Sequence, residues 1–181
     1  MTPGPNCRAD RCEKETTLHF AYRTLTKSDA AAWCALRLEG VREFPMGFLV
    51  TEDEARQISE ARAGQILSVG DMRGVFEEKQ LVGFCGYRPQ TLERTRHRAE
   101  IGPFFVTASR QGSGAAQVLM DGVRAEAEAA ELAYLELYVD CENHRAIAFY
   151  KASGFEKVAT IPDGVRMEGS SRDDDFYRLR L

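Results

Sequence analysis

The first apolar segment, Leu18 to Leu25, mixes aliphatic and aromatic residues with polar ones, the pattern of an opening strand. Ser28 and Asp29 then offer side-chain oxygens to the orphan N–H groups of a helix start. Ala32, Trp33, Leu36 and Leu38 supply the apolar stripe of a helix that should end near Gly40. An aromatic stretch, Phe44-Pro45-Met46-Gly47-Phe48, leads to Thr51-Glu52-Asp53-Glu54. Its Thr and Glu three apart match a capping box and predict a second helix reaching about Ala63. Val75-Phe76 and Leu81-Val82-Gly83-Phe84 flank the polar turn Glu77-Glu78-Lys79-Gln80 as an antiparallel hairpin would. The stretch Leu92 to Arg98, with Arg94, Arg96 and His97, reads as a solvated loop.

Ile101-Gly102-Pro103-Phe104-Phe105-Val106 is apolar enough for a buried strand. Pro103 has no N–H and Gly102 weakens a ladder, so a bulge should interrupt the pairing there. Thr107 to Ser113 is a polar turn, and Gly114 to Ala130 has Ala115, Val118, Leu119 and Val123 on one helical face. Leu135, Leu137 and Val139 alternate with Glu136 and Tyr138 and predict a strand over Ala133 to Val139. Asn143 caps a short helix carrying Ala146, Ile147 and Tyr150, which Gly154 and Phe155 close. Two last strands, Phe155 to Ile161 and Phe176 to Leu181, are expected on either side of an acidic turn, Arg172-Asp173-Asp174-Asp175.

Composition narrows the classes. A chain of 181 residues with 44% apolar residues suits one globular domain with a sizeable core. Its 24 Lys and Arg against 28 Asp and Glu give a net charge of −4, which argues against nucleic acid as a partner. The apolar runs are far shorter than the roughly 20 residues a membrane span needs. The polar stretch Met1 to Thr17 has no apolar core of a signal peptide and reads as a flexible tail, so a cytoplasmic location is expected by default. Cys7, Cys12, Cys34, Cys85 and Cys141 are odd in number and show no zinc-ligand spacing. They are expected to be reduced thiols, and no metal is expected.

Candidate chemistry concentrates between Ala99 and Phe155. Gln111-Gly112-Ser113-Gly114-Ala115-Ala116 places small residues between a strand and a helix, where free N–H groups and the helix dipole favour a phosphate; alone it could be simply a tight turn. The P-loop lysine is missing, and Gln117 stands where a dinucleotide fingerprint needs a small residue. The second piece is Leu135-x-Leu137-x-Val139-x-x-x-Asn143-x-x-Ala146-x-x-x-Tyr150-x-x-x-Gly154-Phe155.

Together these pieces resemble the GNAT superfamily of N-acetyltransferases, whose acetyl-CoA loop has the pattern Q/R-x-x-G-x-G/A, matched here by Gln111, Gly114 and Ala116. The resemblance covers about Leu18 to Leu181. It implies an α/β fold with a mixed, mostly antiparallel central sheet and helices on both faces, in an N-acetyltransferase domain over residues 18–181. It implies acetyl-CoA as acyl donor, with the amides of Gln111, Gly112, Ser113, Gly114, Ala115 and Ala116 on its pyrophosphate. The backbone of Phe104, Phe105 and Val106 would lie along the pantetheine arm, and Asn143 would hydrogen-bond the cofactor. The interrupted ladder at Gly102-Pro103 fits that implication, because pantetheine can pair like a missing strand where two strands splay.

The reaction the resemblance implies is direct transfer of acetyl to a primary amine of a small molecule or peptide. Tyr150 would protonate the departing thiolate; otherwise it is a core tyrosine. Glu100, at the entrance of the strand, is the first choice for the base that collects the ammonium proton, and Glu136 the second, with a solvated surface role open for both. Glu43, Phe44, Met46 and Phe48 could border the acceptor cleft, and the three aspartates could attract a cationic amine or form a solvated turn. A non-catalytic acyl-CoA-binding module is the competing reading. A homodimer is common among relatives, and nothing in these residues selects one.

Overall fold

The computed structural model describes residues 19–167 and 169–181; Cys7, Cys12 and the expected tail lie outside them. A seven-stranded sheet has the order β1-β2-β3-β4-β5-β7-β6. Its strands are β1 (Phe20–Thr24), β2 (Met72–Glu77), β3 (Gln80–Pro89), β4 (Arg98–Val106), β5 (Tyr134–Asp140), β6 (Glu156–Met167) and β7 (Ser170–Arg180). Among the described residues only β4 and β5 run parallel. The mixed, mostly antiparallel sheet expected from the sequence is therefore present.

Alternation along the strands divides the core in two. Val75, Cys85, Val106, Leu135 and Leu137 face helix α4 (Ala115–Ala129) and helix α5 (His144–Ala152). Their neighbours Phe76, Phe84 and Phe105 face α1 (Ala30–Glu43) and α3 (Glu60–Leu67) on the other side. Leu119 and Val123 of α4 and Trp33 of α1 are almost wholly buried. Each such side chain removed from water contributes about 1.5–3 kcal/mol.

Several boundaries differ from the sequence reading for identifiable reasons. Helix α1 runs past Gly40 to Glu43, because Gly40 is a packing position and not a stop: a Cβ there would stand 2.6 Å from the ring of Phe48. The expected second helix is two, α2 (Glu52–Arg56) and α3. Ser59 opens α3 by accepting the Arg62 N–H at 3.2 Å. The Thr51–Glu54 capping box is formed as expected, with Thr51 N–H donating to the Glu54 carboxylate at 2.8 Å.

The acidic turn is overturned. Asp173, Asp174 and Asp175 lie inside β7, and the strands of this hairpin end at Met167 and resume at Ser170. The turn-like residues Pro162, Asp163 and Gly164 instead form an irregularity in β6, where the register shifts between Ile161 and Val165. Asp175 is tolerated in the sheet because Lys157, at 2.6 Å, and the Thr160 hydroxyl, at 2.8 Å, meet its carboxylate from the neighbouring strand.

One electrostatic tie spans the middle of the sheet. Glu136 of β5 is buried, and its carboxylate accepts from Arg98 of β4 at 3.0 Å and from Arg178 of β7 at 2.6 Å. Glu136 is thus neither a solvated residue nor a cleft residue. Glu136→Gln should leave two guanidinium groups without their anion. Because both arginines are about one-third exposed, the expected loss is about 2 kcal/mol, the scale of charged hydrogen bonds, read as a lowered midpoint in urea denaturation.

Candidate functional site

The parallel ladder between β4 and β5 is short. It pairs Arg98 with Tyr134, Ala99 with Leu135 and Glu100 with Glu136, and then stops. Beyond it β5 remains paired with β7 as far as Asp140, and β4 remains paired with β3 as far as Val106, so the two central strands part. A bulge shapes the β4 side. Tyr87 opposes Ile101 and Cys85 opposes Phe104, which leaves Gly86 facing both Gly102 and Pro103. The interruption expected at Gly102-Pro103 is this bulge, and the Gly102–Pro103 peptide bond is cis. Arg88 of β3 closes it by donating to the Gly102 carbonyl at 2.6 Å.

The ladder phase decides which β4 groups face the gap. Thr107 N–H donates to the Val82 carbonyl at 2.9 Å, which makes Val106 and Gly83 a wide pair. Phe105 therefore turns its backbone N–H and C=O to Phe84, while Phe104 and Val106 turn theirs to the open edge. The Val106 carbonyl accepts from the Gln111 side chain at 3.0 Å. Of the three residues expected along this arm, Phe105 thus has its backbone committed to β3 and its side chain to the opposite core. Strand alternation alone could have separated it from its neighbours, once the register was known.

At the end of β4 the chain enters α4 through the loop singled out in the sequence. Gly114 is the N-cap, in the left-handed region at φ +96°, with no side-chain cap. The first N–H groups of α4, those of Ala115, Ala116 and Gln117, have no acceptor within the helix. Those of Gly112 and Gly114 find none among the described residues. Arg110 is paired with Glu77 at 2.6 Å. The loop thus offers convergent N–H donors and a positive dipole end to an anion.

A cleft of about 410 Å³ adjoins this gap. Glu100, Phe104, Asn143 and Tyr150 all line it, so the structure brings the two catalytic candidates together with part of the proposed cofactor path. Asn143 caps α5, accepting the Ala146 N–H at 3.1 Å. Tyr150 is buried against Phe104 and Phe155, with ring centroids 6.2 and 5.8 Å away, yet it reaches the cleft, and its hydroxyl has no hydrogen-bond partner among the described residues. Burial raises its pKa, with the nearby Cys85 thiol a lesser cause. That thiol is itself pushed up to about 12 by burial and is no nucleophile near neutral pH. Glu100 lies 3.7 Å from the Arg88 guanidinium.

Met46 and Phe48 form part of the wall, as their sequence position suggested; Glu43 and Phe44 do not, Phe44 packing on Phe105 instead. Asp174 also lines the cleft, and its pKa is raised by burial and then by the neighbouring Asp140 and Asp175. The sequence reading missed Trp33, Arg37 and Arg88, which line the cleft as well. The spacing of Trp33 and Arg37, four apart on a helix, was a visible signal that they share a face.

Residues 33–155 match the model of the acetyltransferase (GNAT) family. The chain belongs to that family. Members of the GNAT family use acetyl-CoA as donor, so this domain is an acyltransferase of the acetyl-CoA-dependent kind. No curated protein matches it by sequence. Solved structures of similar fold include the GNAT-family acetyltransferase of Streptococcus pneumoniae, at 17% identity, with 90% of this chain and 100% of that chain covered and a TM-score of 0.76. The Salmonella typhimurium protein yncA, solved with its cofactor acetyl-CoA, has 17% identity, coverage of 90% and 94%, and a TM-score of 0.76. The ribosomal-protein-alanine N-acetyltransferase of Brucella melitensis has 24% identity, coverage of 89% and 99%, and a TM-score of 0.70. At such identities the likeness speaks for the GNAT fold, whose central feature here is the parting of β4 from β5. No helix among the described residues is long and apolar enough to cross a membrane.

The bulge that opens the GNAT cleft depends on Gly86, because a Cβ at that position would collide with the Gly102 carbonyl oxygen. Gly86→Ala should therefore displace backbone, costing about 1–3 kcal/mol as an overpacked site does. The check is the denaturation midpoint, set beside Gly47→Ala, where a Cβ meets nothing within 4 Å.

Proposed function

We propose that this domain transfers acetyl from acetyl-CoA to a primary amine of a small molecule or peptide, by direct attack with both substrates held in the cleft. The observation that carries this reading is the gap between β4 and β5, flanked at one end by the unpaired N–H groups of α4 and opening onto Tyr150. Acetyl-CoA brings the thioester: the amine nitrogen bonds to the acetyl carbon as the carbon–sulfur bond breaks, the amine proton goes to a base, and the sulfur takes a proton.

The chain's own groups suit these tasks. The free amides of Gly112, Gly114, Ala115 and Ala116 hold the pyrophosphate, whereas those of Gln111 and Ser113, expected to share the task, donate to the Ala108 and Arg110 carbonyls at 3.3 and 3.4 Å and shape the loop; the open-edge backbone of Phe104 and Val106 pairs with the amides of the pantetheine arm. The Gln111 side chain helps indirectly by fixing the loop against the Val106 carbonyl. Asn143 keeps the start of α5 in place and leaves its amide group near the cofactor path. Tyr150 is the acid: its raised pKa keeps the phenol protonated, and its hydroxyl is not engaged elsewhere among the described residues. Glu100 is the base, directly or through a water, from a cleft position 3.7 Å from the Arg88 guanidinium.

Calorimetric titration should show binding of acetyl-CoA and CoA but not of ATP; folded protein that binds neither CoA species would sink the reading. Tyr150→Phe is expected to keep acetyl-CoA affinity and to lower kcat in a thiol-release assay by about 10²–10⁴-fold, the usual worth of a positioned acid. A non-catalytic binding module would lose nothing. Because the folded pKa of Tyr150 is raised, its acid form persists as pH rises. The wild-type rate should therefore show no fall at the ordinary tyrosine value near pH 10.

Glu100→Gln should lower kcat below neutral pH most strongly, where less of the acceptor amine is already neutral. The loss should shrink as pH approaches the amine's own pKa. A deficit that is the same at every pH would assign Glu100 to positioning instead of proton transfer.

A further inference from the structure

Two guanidinium groups line the cleft, and they are not in the same condition. Arg88 is committed, with the Gly102 carbonyl at 2.6 Å and Glu100 at 3.7 Å. Arg37, on α1, has neither an ion pair nor a hydrogen bond among the described residues, although burial weighs against its charge enough to lower its pKa. Its Cζ lies 5.4 Å from the centroid of the Trp33 ring, which cushions the flat face of the guanidinium but leaves its five N–H donors unused. The carboxylate of Glu54 is within Coulombic reach, yet it is bound to the Thr51 amide and hydroxyl at 2.8 and 3.1 Å.

One turn back on the same helix, Trp33 also lines the cleft. It is 2% exposed, and its indole N–H is buried with no acceptor. A buried donor without a partner has given up its water for nothing in return. The Trp33 N–H is such a donor, and half-buried Arg37, one turn on along the same helical face and in the same cleft wall, adds a cation with no anion of the described residues bound to it; together they describe a site open to a ligand. The remaining wall on this side, Met46, Phe48, Ile58, Ile66 and Met72, is apolar.

We infer that Arg37 and Trp33 receive a carboxylate on the acceptor, so that the amine acetylated by this chain belongs to a molecule of amino-acid type with an apolar side chain. This rests on the acetyl-transfer reading of the same cleft and narrows it. The acceptor's amine faces the Glu100 side of the cleft, and its carboxylate faces α1. Glu100, Asp140 and Asp174 in the same cleft suit the acceptor's amine, but a polyamine or an aminoglycoside, which carries cations only, would leave Arg37 without an anion.

Trp33 is the chain's single tryptophan, so its emission reports this site without any need for turnover. With CoA present and absent, the wild-type protein is titrated with leucine, valine and phenylalanine and with their carboxamides. At least one free acid should give a saturable change in Trp33 emission, with its carboxamide at least tenfold weaker. Arg37→Gln should erase that difference, and Arg37→Lys should keep part of it, circular dichroism verifying the fold of each. In the thiol-release assay the same substitution should appear mainly as a raised KM for the acid. Equal binding of acids and carboxamides, no saturable change with any of the acids, or an unchanged preference in Arg37→Gln would each overturn the inference. Failure of acetyl-CoA to bind would overturn the transfer reading instead, and the emission titration would still decide the anion site.

Discussion

The parting of β4 and β5 is the constraint on which the rest of the structure depends. Two neighbouring parallel strands would normally continue their ladder, and an open edge inside a sheet leaves N–H and C=O groups unpaired at a real cost. Here the separation is imposed from both sides. The β4 bulge at Gly102-Pro103 bends that strand about Gly86, while β5 is held straight against β7 from Tyr134 to Asp140. Glu136 anchors the last paired position, gripping Arg98 on one neighbour and Arg178 on the other, so the ladder is firm up to Glu100 and absent beyond it. The cleft is therefore a product of sheet register, and the helices only line it.

The same register assigns work to the two faces. Because successive residues of β4 face opposite cores, Phe104 stands beside Tyr150 while Phe105 packs with Phe44, Phe48 and Phe84. One strand thus braces the α5 side and the α1 side together, and the aromatic cluster around Phe105 fixes the segment that carries Met46 and Phe48 into the cleft wall. Gly40 takes part by its lack of a side chain, letting Phe48 lie directly on α1. The acceptor side and the donor side of the cleft are thereby coupled through packing, with no flexible linker between them.

What was legible in the sequence was local. The Gln111–Ala116 loop, the Asn143 cap, the Tyr150 helix and the capping box at Thr51 each need only a few adjacent residues, and each forms as read. The disruption at Gly102-Pro103 was legible too, because the loss of an N–H is a property of proline wherever it sits. What was not legible depended on partners far away in the chain. Asp174 and Asp175 look like a turn until Lys157 and Thr160 are seen to meet Asp175 across the β6–β7 ladder. Glu136 looks solvated until Arg98 and Arg178 arrive from two other strands. Arg88 reaches Gly102 and Glu100 only through the β3–β4 register. Trp33 read as core, which it is, and nothing short of the packed structure shows its N–H without an acceptor.

The cleft's electrostatics follow from this arrangement and bear on how an acid and a base can work side by side. An acid must still hold its proton at a pH where the acceptor amine is becoming neutral, and its surroundings decide whether it does. Tyr150 sits in an apolar socket of Phe104, Phe149 and Phe155, where an anionic phenolate would be poorly solvated and the proton is retained. Glu100 sits at the end of a ladder, about 43% exposed and 3.7 Å from the Arg88 guanidinium, open to the water that would carry a proton away. The two environments are separated along β4 by the bulge itself: Glu100 and Ile101 are the last paired residues before it, opposite Arg88 and Tyr87, and Phe104 is the first after it, opposite Cys85. A regular strand would have placed positions 100 and 104 on one face with the same neighbours. The extra residue in the ladder sets them in different surroundings, and the feature that opens the cleft also separates its acid from its base.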